Sequence, residues 1–366
     1  MRSVLRVSAV VGLVVIEAAG FHLRQAGTIL PQNTTGEEKS TELIGDLKTL
    51  QDDQLTYTGR VIKALLQDSP NTPPEDNATS WVPTPLPSKG SSACRKHTCC
   101  IWRHIYKDMA EAMVNPAPSH GCNDLARGAI RLGFHDAGTW SKRTGPYGGA
   151  DGSIVLTGEC ELRHDNKGLE PTCLQMRKWF AHYRVYGVGM ADLIQTAHNV
   201  ATNLCTGGPL VRTFVGRKDR YHPSPRGTLP SPDQSAEALI ELFRDKTISP
   251  HGLVSLLGAH TSAKQRFVDI SRAGEALDTS PDIWDTGFYD EVLKQEPSKG
   301  VFRLQSDEKL SKHHETAASW QSFTGFQGLF PWLVDYSREY VRLSLLGVNN
   351  LNDLIECSSA IVKQSE

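Results

Sequence analysis

A chain of 366 residues and 40.3 kDa has room for one large domain or two ordinary ones. Its 39 Lys and Arg against 41 Asp and Glu leave a formal charge of −2, which excludes a nucleic-acid binder held by bulk charge. With 39% hydrophobic, 22% charged and 7% aromatic residues, the chain is too polar for a multi-span membrane protein and poor in stacking surface.

The first 20 residues read as a secretory signal peptide. Arg2 and Arg6 make a basic start, positions 7–16 are apolar, and Glu17-Ala18-Ala19-Gly20 ends in small residues suited to cleavage. The run is too short to cross a bilayer, and a buried N-terminal helix is its alternative. No other segment is apolar enough to span a membrane, and the C-terminus lacks the tail of a lipid-anchor signal. A secreted, extracellular chain can pair all eight of its cysteines: Cys94, Cys99, Cys100, Cys122, Cys160, Cys173, Cys205 and Cys357.

Residues 21–92 contain no cysteine and carry Pro70, Pro73, Pro74, Pro83, Pro85 and Pro87 among Ser, Thr, Asn and Asp. Such a composition predicts linker, because it buries little apolar surface against its chain entropy. Within it, Leu43, Leu47, Leu50, Val61, Ile62, Leu65 and Leu66 predict one amphipathic helix from about 41 to 67. Asn33 and Asn77 head glycosylation sequons. A removable propeptide, a stalk and an attachment arm all fit this extension. Beyond it, apolar residues at helical spacing run through 99–115, 122–136, 173–183, 189–204, 233–244, 249–258, 315–325 and 329–346. Strand-like alternation is scarce, so 93–366 is expected to be one large all-α domain.

Two histidines stand out. Arg131 and His135, four apart in Ile130-Arg131-Leu132-Gly133-Phe134-His135-Asp136-Ala137, share one face of a helix. A neutral imidazole with a pKa near 6.5 accepts a proton and a fixed guanidinium stabilises a departing anion, which suits heterolysis of a peroxide O–O bond. His260, in Gly258-Ala259-His260-Thr261, ends an apolar helix and has the character of an axial ligand to haem iron. Taken alone, the first pair reads more simply as a solvated face and His260 as a core histidine.

Together with Gly148-Gly149-Ala150-Asp151-Gly152-Ser153, Ala191-Asp192-Leu193-Ile194-Gln195, Gly216-Arg217-Lys218-Asp219 and Phe302-Arg303-Leu304-Gln305-Ser306-Asp307, these segments follow one order and spacing. The chain from about Cys94 to Cys357 thereby resembles the plant-type haem peroxidase superfamily, and within it the secreted fungal (class II) peroxidases. The resemblance implies a two-lobed helical fold with haem b between a distal and a proximal lobe, and hydrogen peroxide with small aromatic reductants as partners of a monomer. It makes His135 the distal acid–base group, Arg131 the distal arginine and Phe134 the apolar wall. Asn166 becomes the amide on the distal imidazole, His260 the proximal ligand and Asp307 its carboxylate partner. Asp165 replaces a proline usual before that Asn.

The resemblance also implies two calcium ions. Asp136, Gly149 through its carbonyl, Asp151 and Ser153 would hold one; Thr261, Asp278, Ser280, Ile283 through its carbonyl, and Asp285 would hold the other. Each set adjoins one of the two histidines. It implies the bridges Cys122–Cys205, Cys99–Cys357 and Cys94–Cys100, with Cys99 and Cys100 interchangeable at this level. A fourth family bridge is missing, since Ala318 occupies one of its positions; Cys160 and Cys173 are left to close a local loop around Asn166.

Substrate class is read from absences. Where manganese-oxidising members carry three carboxylates, this chain has Asp124, Gly128 and Arg266. Where lignin-attacking members place a surface tryptophan, five residues before the proximal histidine, it has Ser255. A generic peroxidase is therefore expected. The alternatives are a haem-binding protein with little turnover, or a lignin-modifying enzyme with another surface radical site.

Overall fold

The computed structural model describes residues 39–115 and 121–362. The expected signal peptide and the Asn33 sequon lie outside the described residues. The helices of six residues or more are α1 (Tyr57–Leu66), α2 (Thr98–Met113), α3 (Asp124–Ala137), α4 (Glu170–Tyr183), α5 (Met190–Leu204) and α6 (Ala236–Arg244). They continue with α7 (Pro250–Leu257), α8 (Gly287–Leu293), α9 (Gln305–Lys312), α10 (Ala317–Ser322) and α11 (Gly325–Ser344). A two-residue antiparallel pair, β1 (Phe214–Val215) with β2 (Ile355–Glu356), sets Phe214 opposite Glu356. The fold is mainly helical, as the periodicity predicts.

α5 is buried on every side from Met190 to Thr202, which places it at the centre of the helical core, and α3 lies along it. Their approach depends on Gly133: a Cβ there would lie 2.3 Å from Tyr340 Oη and 2.8 Å from His198 Cβ. α3 begins where the Asn123 side chain accepts from the amides of Leu125 and Ala126. α7 begins at Ser249, which accepts from Gly252 N, with Pro250 pre-set for the first turn. α7 then tightens into a 3₁₀ turn, Gly258–Ser262, which carries His260. A Cβ at Gly258 would sit 2.3 Å from the Trp332 ring, so only glycine admits α11 this close.

Two expectations need correction. The single helix from 41 to 67 is instead two 3₁₀ turns, Gly45–Lys48 and Asp52–Gln54, followed by α1. Gly45 takes φ of +57°, and the Thr56 side chain caps α1 by accepting from Gly59 N, so the helix starts there. α8 escaped the periodicity at only seven residues, and α9 because Gln305–Lys312 is almost wholly polar; the acids of α9 lie in its first turn and its lysines in the last, as a helix dipole favours.

Residues 39–67 are also tied closely to the rest of the chain. Val61 and Ile62 are fully buried. Arg342, itself buried, donates to the carbonyls of Ser40 (2.8 Å), Glu42 (2.8 Å) and Leu66 (2.6 Å). Lys39 Nζ meets Asp335 at 2.6 Å. Even the proline-rich stretch is tied down, with Arg212 on the Pro73 carbonyl (2.9 Å) and the Glu75 carboxylate on Ser359 N (3.0 Å). Extended chain that meets buried guanidinium donors needs little apolar surface of its own. Arg342→Leu would leave the Glu42 and Leu66 carbonyls without this donor and the buried Glu339 with Arg338 as its remaining ion-pair partner among the described residues, and should lower unfolding stability by about 2–4 kcal/mol in denaturant titration.

Candidate active site

His135 sits near the end of α3, with Arg131 one turn earlier. His135 Nδ1 lies 2.9 Å from Asn166 Oδ1, and Asn166 Nδ2 in turn donates to the Glu159 carbonyl at 3.0 Å. That second bond orients the amide, so its oxygen faces the ring and Nδ1 must carry the proton. Nε2 is then the lone-pair nitrogen, and Arg131 Nε approaches it at 3.2 Å. Burial first, and the Arg131 charge second, push the His135 pKa down to about 3, so the ring is neutral. Arg131 is held by two loop carbonyls, Lys167 O at 2.8 Å and Asp165 O at 3.1 Å. Asp165 contributes its backbone here while its side chain is exposed. Phe134 is half-buried, edge-on to His135 at 5.7 Å and stacked on Phe243 of α6 at 6.2 Å.

His260 is built in the opposite sense. Its Nδ1 lies 3.0 Å from Oδ2 of Asp307, a carboxylate only 1% exposed at the start of α9. A carboxylate accepts, so Nδ1 donates and Nε2 is left as a donor of electrons to whatever it faces. Phe288 packs edge-on to the ring at 5.4 Å. The two segments are joined across the site by Arg127 of α3, whose Nε donates to the Ser262 carbonyl at 2.9 Å.

Residues 105–325 match the family model described as Peroxidase. The chain belongs to the peroxidase family. It is 30% identical over 293 residues to a peroxidase of Arthromyces ramosus, an alignment covering 74% of this chain and 78% of that one. Ligninase C of Trametes versicolor is 30% identical over 298 residues, covering 74% and 77%. Manganese peroxidase 3 of Phlebia radiata is 32% identical over 262 residues, covering 66% and 71%. This chain is thus a plant-type haem peroxidase by family, an oxidoreductase that acts on hydrogen peroxide.

The donor set suits haem: an imidazole with an open Nε2, whose Nδ1 is committed to a buried carboxyl group, is what ferric iron takes as an axial ligand. The oxygen clusters suit hard cations. Asp136 Oδ1 and Asp151 Oδ2 are buried without a hydrogen-bond donor, although Arg220 Nε stands 3.1 Å from the latter. Burial, and then the nearby Asp151 charge, hold the Asp136 carboxyl well above the usual carboxylate range. A divalent cation would cancel that repulsion. The Gly149 carbonyl accepts from Asp151 N at 2.8 Å within the same loop, and Ser153 Oγ meets Ser224 Oγ at 2.8 Å. On the other side, Thr261 Oγ1 lies 2.6 Å from Asp278 Oδ2 and 3.3 Å from the Ile283 carbonyl. Ser280 Oγ lies 3.0 Å from Asp285 Oδ2, and Asp285 is pushed up by burial and then by Asp278.

All eight cysteines are paired, as Cys94–Cys100, Cys99–Cys357, Cys122–Cys205 and Cys160–Cys173. The last pins the Glu159–Leu162 turn to α4 and so frames Asn166. Asn77 is exposed at the start of a short helix, Asn77–Ser80.

Sequence reasoning missed the groups that act through backbone, namely the Glu159, Lys167 and Asp165 carbonyls. A carbonyl leaves no mark in residue identity. It also missed that Asp124 and Arg266 meet, at 2.8 Å, with Arg127 Nη1 3.3 Å from the same carboxylate. Ser255 proves fully buried, so its position faces the core rather than solvent.

Proposed function

We propose that this peroxidase is secreted and uses hydrogen peroxide to oxidise small phenols and dye-like aromatic donors, one electron at a time, at the edge of haem b. The observation that carries the reading is the asymmetry of the two histidines. One, neutral through burial and the Arg131 charge, has its lone pair turned outward by an amide oxygen, and the other is made a strong donor by a buried carboxylate.

His260 would hold the haem iron through Nε2, and Phe134 would wall the opposite side. The haem, when bound, supplies the two-electron reduction of peroxide and the two one-electron oxidations of donor. The rest is the work of side chains. His135 Nε2 takes the proton from one peroxide oxygen and delivers it to the other, while Asn166 keeps the proton on Nδ1 and the lone pair aimed outward. Arg131, anchored by the Asp165 and Lys167 carbonyls, presents Nε beside that nitrogen and stabilises negative charge on the departing oxygen. Asp307 draws on the Nδ1 proton of His260 and so raises the electron density at Nε2. Eight paired cysteines and an exposed Asn77 sequon support an extracellular setting. Among the described residues no helix is long and apolar enough to cross a membrane. Stopped-flow spectra with peroxide, followed by a panel of reductants, test the reading. A Soret band with no peroxide-dependent oxidation would point instead to a haem-binding protein with little turnover.

We assign one calcium ion to each oxygen cluster. Removing calcium with a chelator should inactivate the enzyme, because repulsion between Asp136 and Asp151 would then act on the helix end that carries His135. Metal analysis that finds active protein free of calcium would remove the assignment.

The substrate class follows from Asp124. Its carboxylate is already engaged by Arg266 and Arg127, so a divalent ion would meet one acid and two guanidinium groups. Tight, saturable Mn(II) oxidation is therefore not expected. Efficient turnover of a non-phenolic lignin model compound is not expected either, since Ser255 is buried and has no oxidisable ring. Either activity, measured by steady-state kinetics, would overturn the generic assignment.

A further inference from the structure

Behind the site lies a group of aromatic side chains that the reaction as described does not use. Trp332 rests on the backbone of Gly258, two residues before His260, and its Nε1 donates to the Ser255 carbonyl at 3.0 Å. Ring contacts continue from it to Tyr336 at 6.1 Å, to Tyr289 at 5.8 Å and to Trp284 at 5.7 Å, which itself touches Tyr336 at 5.0 Å. All four are buried, at 1% exposure or less.

The hydroxyl partners of the tyrosines in this array differ. Tyr289 Oη donates to the Val254 carbonyl (2.8 Å) and Tyr340 Oη to Gln195 Oε1 (2.8 Å), neither of which takes a proton. Tyr336 Oη lies 3.0 Å from His198 Nε2. The other nitrogen of His198 faces the Ile130 carbonyl at 2.9 Å and must donate to it, so Nε2 is a lone pair and Tyr336 donates to that. Tyr340 stacks flat on the imidazole, centroids 3.3 Å apart and planes within 7°, which would stabilise a charged ring. A phenol gives up an electron readily only when its proton can leave with it, because an oxidised phenol is a strong acid. Among these tyrosines, Tyr336 alone has a base in place.

We propose that Tyr336, coupled to His198, is an internal radical site that stores one oxidising equivalent drawn from the haem site through Trp332. The proposal rests on the haem peroxidase reading above. When no donor is present, cleavage of the peroxide O–O bond still takes two electrons: one would come from the haem group itself, which recovers it later from donor, and the other from Tyr336. The Tyr336 electron passes through Trp332, while the phenolic proton moves to His198 Nε2. The product is a neutral phenoxyl radical beside an imidazolium. An external phenol later returns the electron, and the proton goes back to Tyr336.

The test is freeze-quench electron paramagnetic resonance of the haem-loaded protein after one equivalent of peroxide and no donor, with absorbance followed in parallel. Wild-type protein should give a radical signal that changes shape when its tyrosines are ring-deuterated. Tyr336→Phe should reduce the signal at least ten-fold, and Trp332→Phe should delay its appearance with Tyr336 intact. Peptide mapping should find oxidation products at Tyr336 or Trp332 in wild-type protein treated with excess peroxide. An undiminished tyrosyl signal in Tyr336→Phe overturns the site. So does a wild-type protein whose absorbance responds to peroxide without any tyrosyl signal, a result that stands even if Tyr336→Phe does not fold. No absorbance response to peroxide at all would overturn the peroxidase reading itself, and the radical site with it.

Discussion

His260→Ala protein is expected to retain little haem, seen as loss of the Soret band, and to lose turnover with it. The reason is that His260 Nε2 is the open nitrogen of a ring whose other nitrogen is committed to Asp307. Asp307→Asn separates the two parts of that role. An amide oxygen can still accept from Nδ1 and keep the ring in place, but it brings no charge. That variant should bind haem and turn over about 10–100-fold more slowly, the usual cost of losing a ligand's outer partner. Full activity in both variants would overturn the ligand assignment.

The second large effect belongs to His135. His135→Ala should slow the reaction with peroxide by about 10²–10⁴-fold, as read by stopped-flow absorbance at limiting peroxide. Arg131→Leu should slow it too, because the charge that forms on the departing oxygen would lose its fixed counter-charge. Neither change is expected to disturb the fold, since Arg131 is exposed and both side chains project from a helix already packed through its other face. An unchanged peroxide rate in His135→Ala would remove it as the acid–base group.

The chemistry proposed for the site can be read from the sequence because it rests on side-chain identity. Arg131 and His135 are four apart on one helix face, and His260, Asp307 and Asn166 are marked by the resemblance of their segments to those of the family. The helical class was legible too, since α2 to α7 and α11 each bury an apolar stripe. The N-terminal segment was not. Its composition reads as one helix set in linker, yet residues 39–67 form two short turns and a helix and are held by Arg338 and Arg342, nearly 300 residues away in sequence.

What the sequence determined by itself was therefore the inventory: which groups can move a proton, ligate a metal or pair as disulfides. Tertiary structure decided which backbone atoms anchor them and what lies between. The Glu159 carbonyl turns Asn166, Arg266 engages the Asp124 carboxylate, and His198 meets Tyr336 across 138 residues. Each depends on a contact between segments far apart in the chain, or on a carbonyl that every residue possesses. Local spacing carries no record of either.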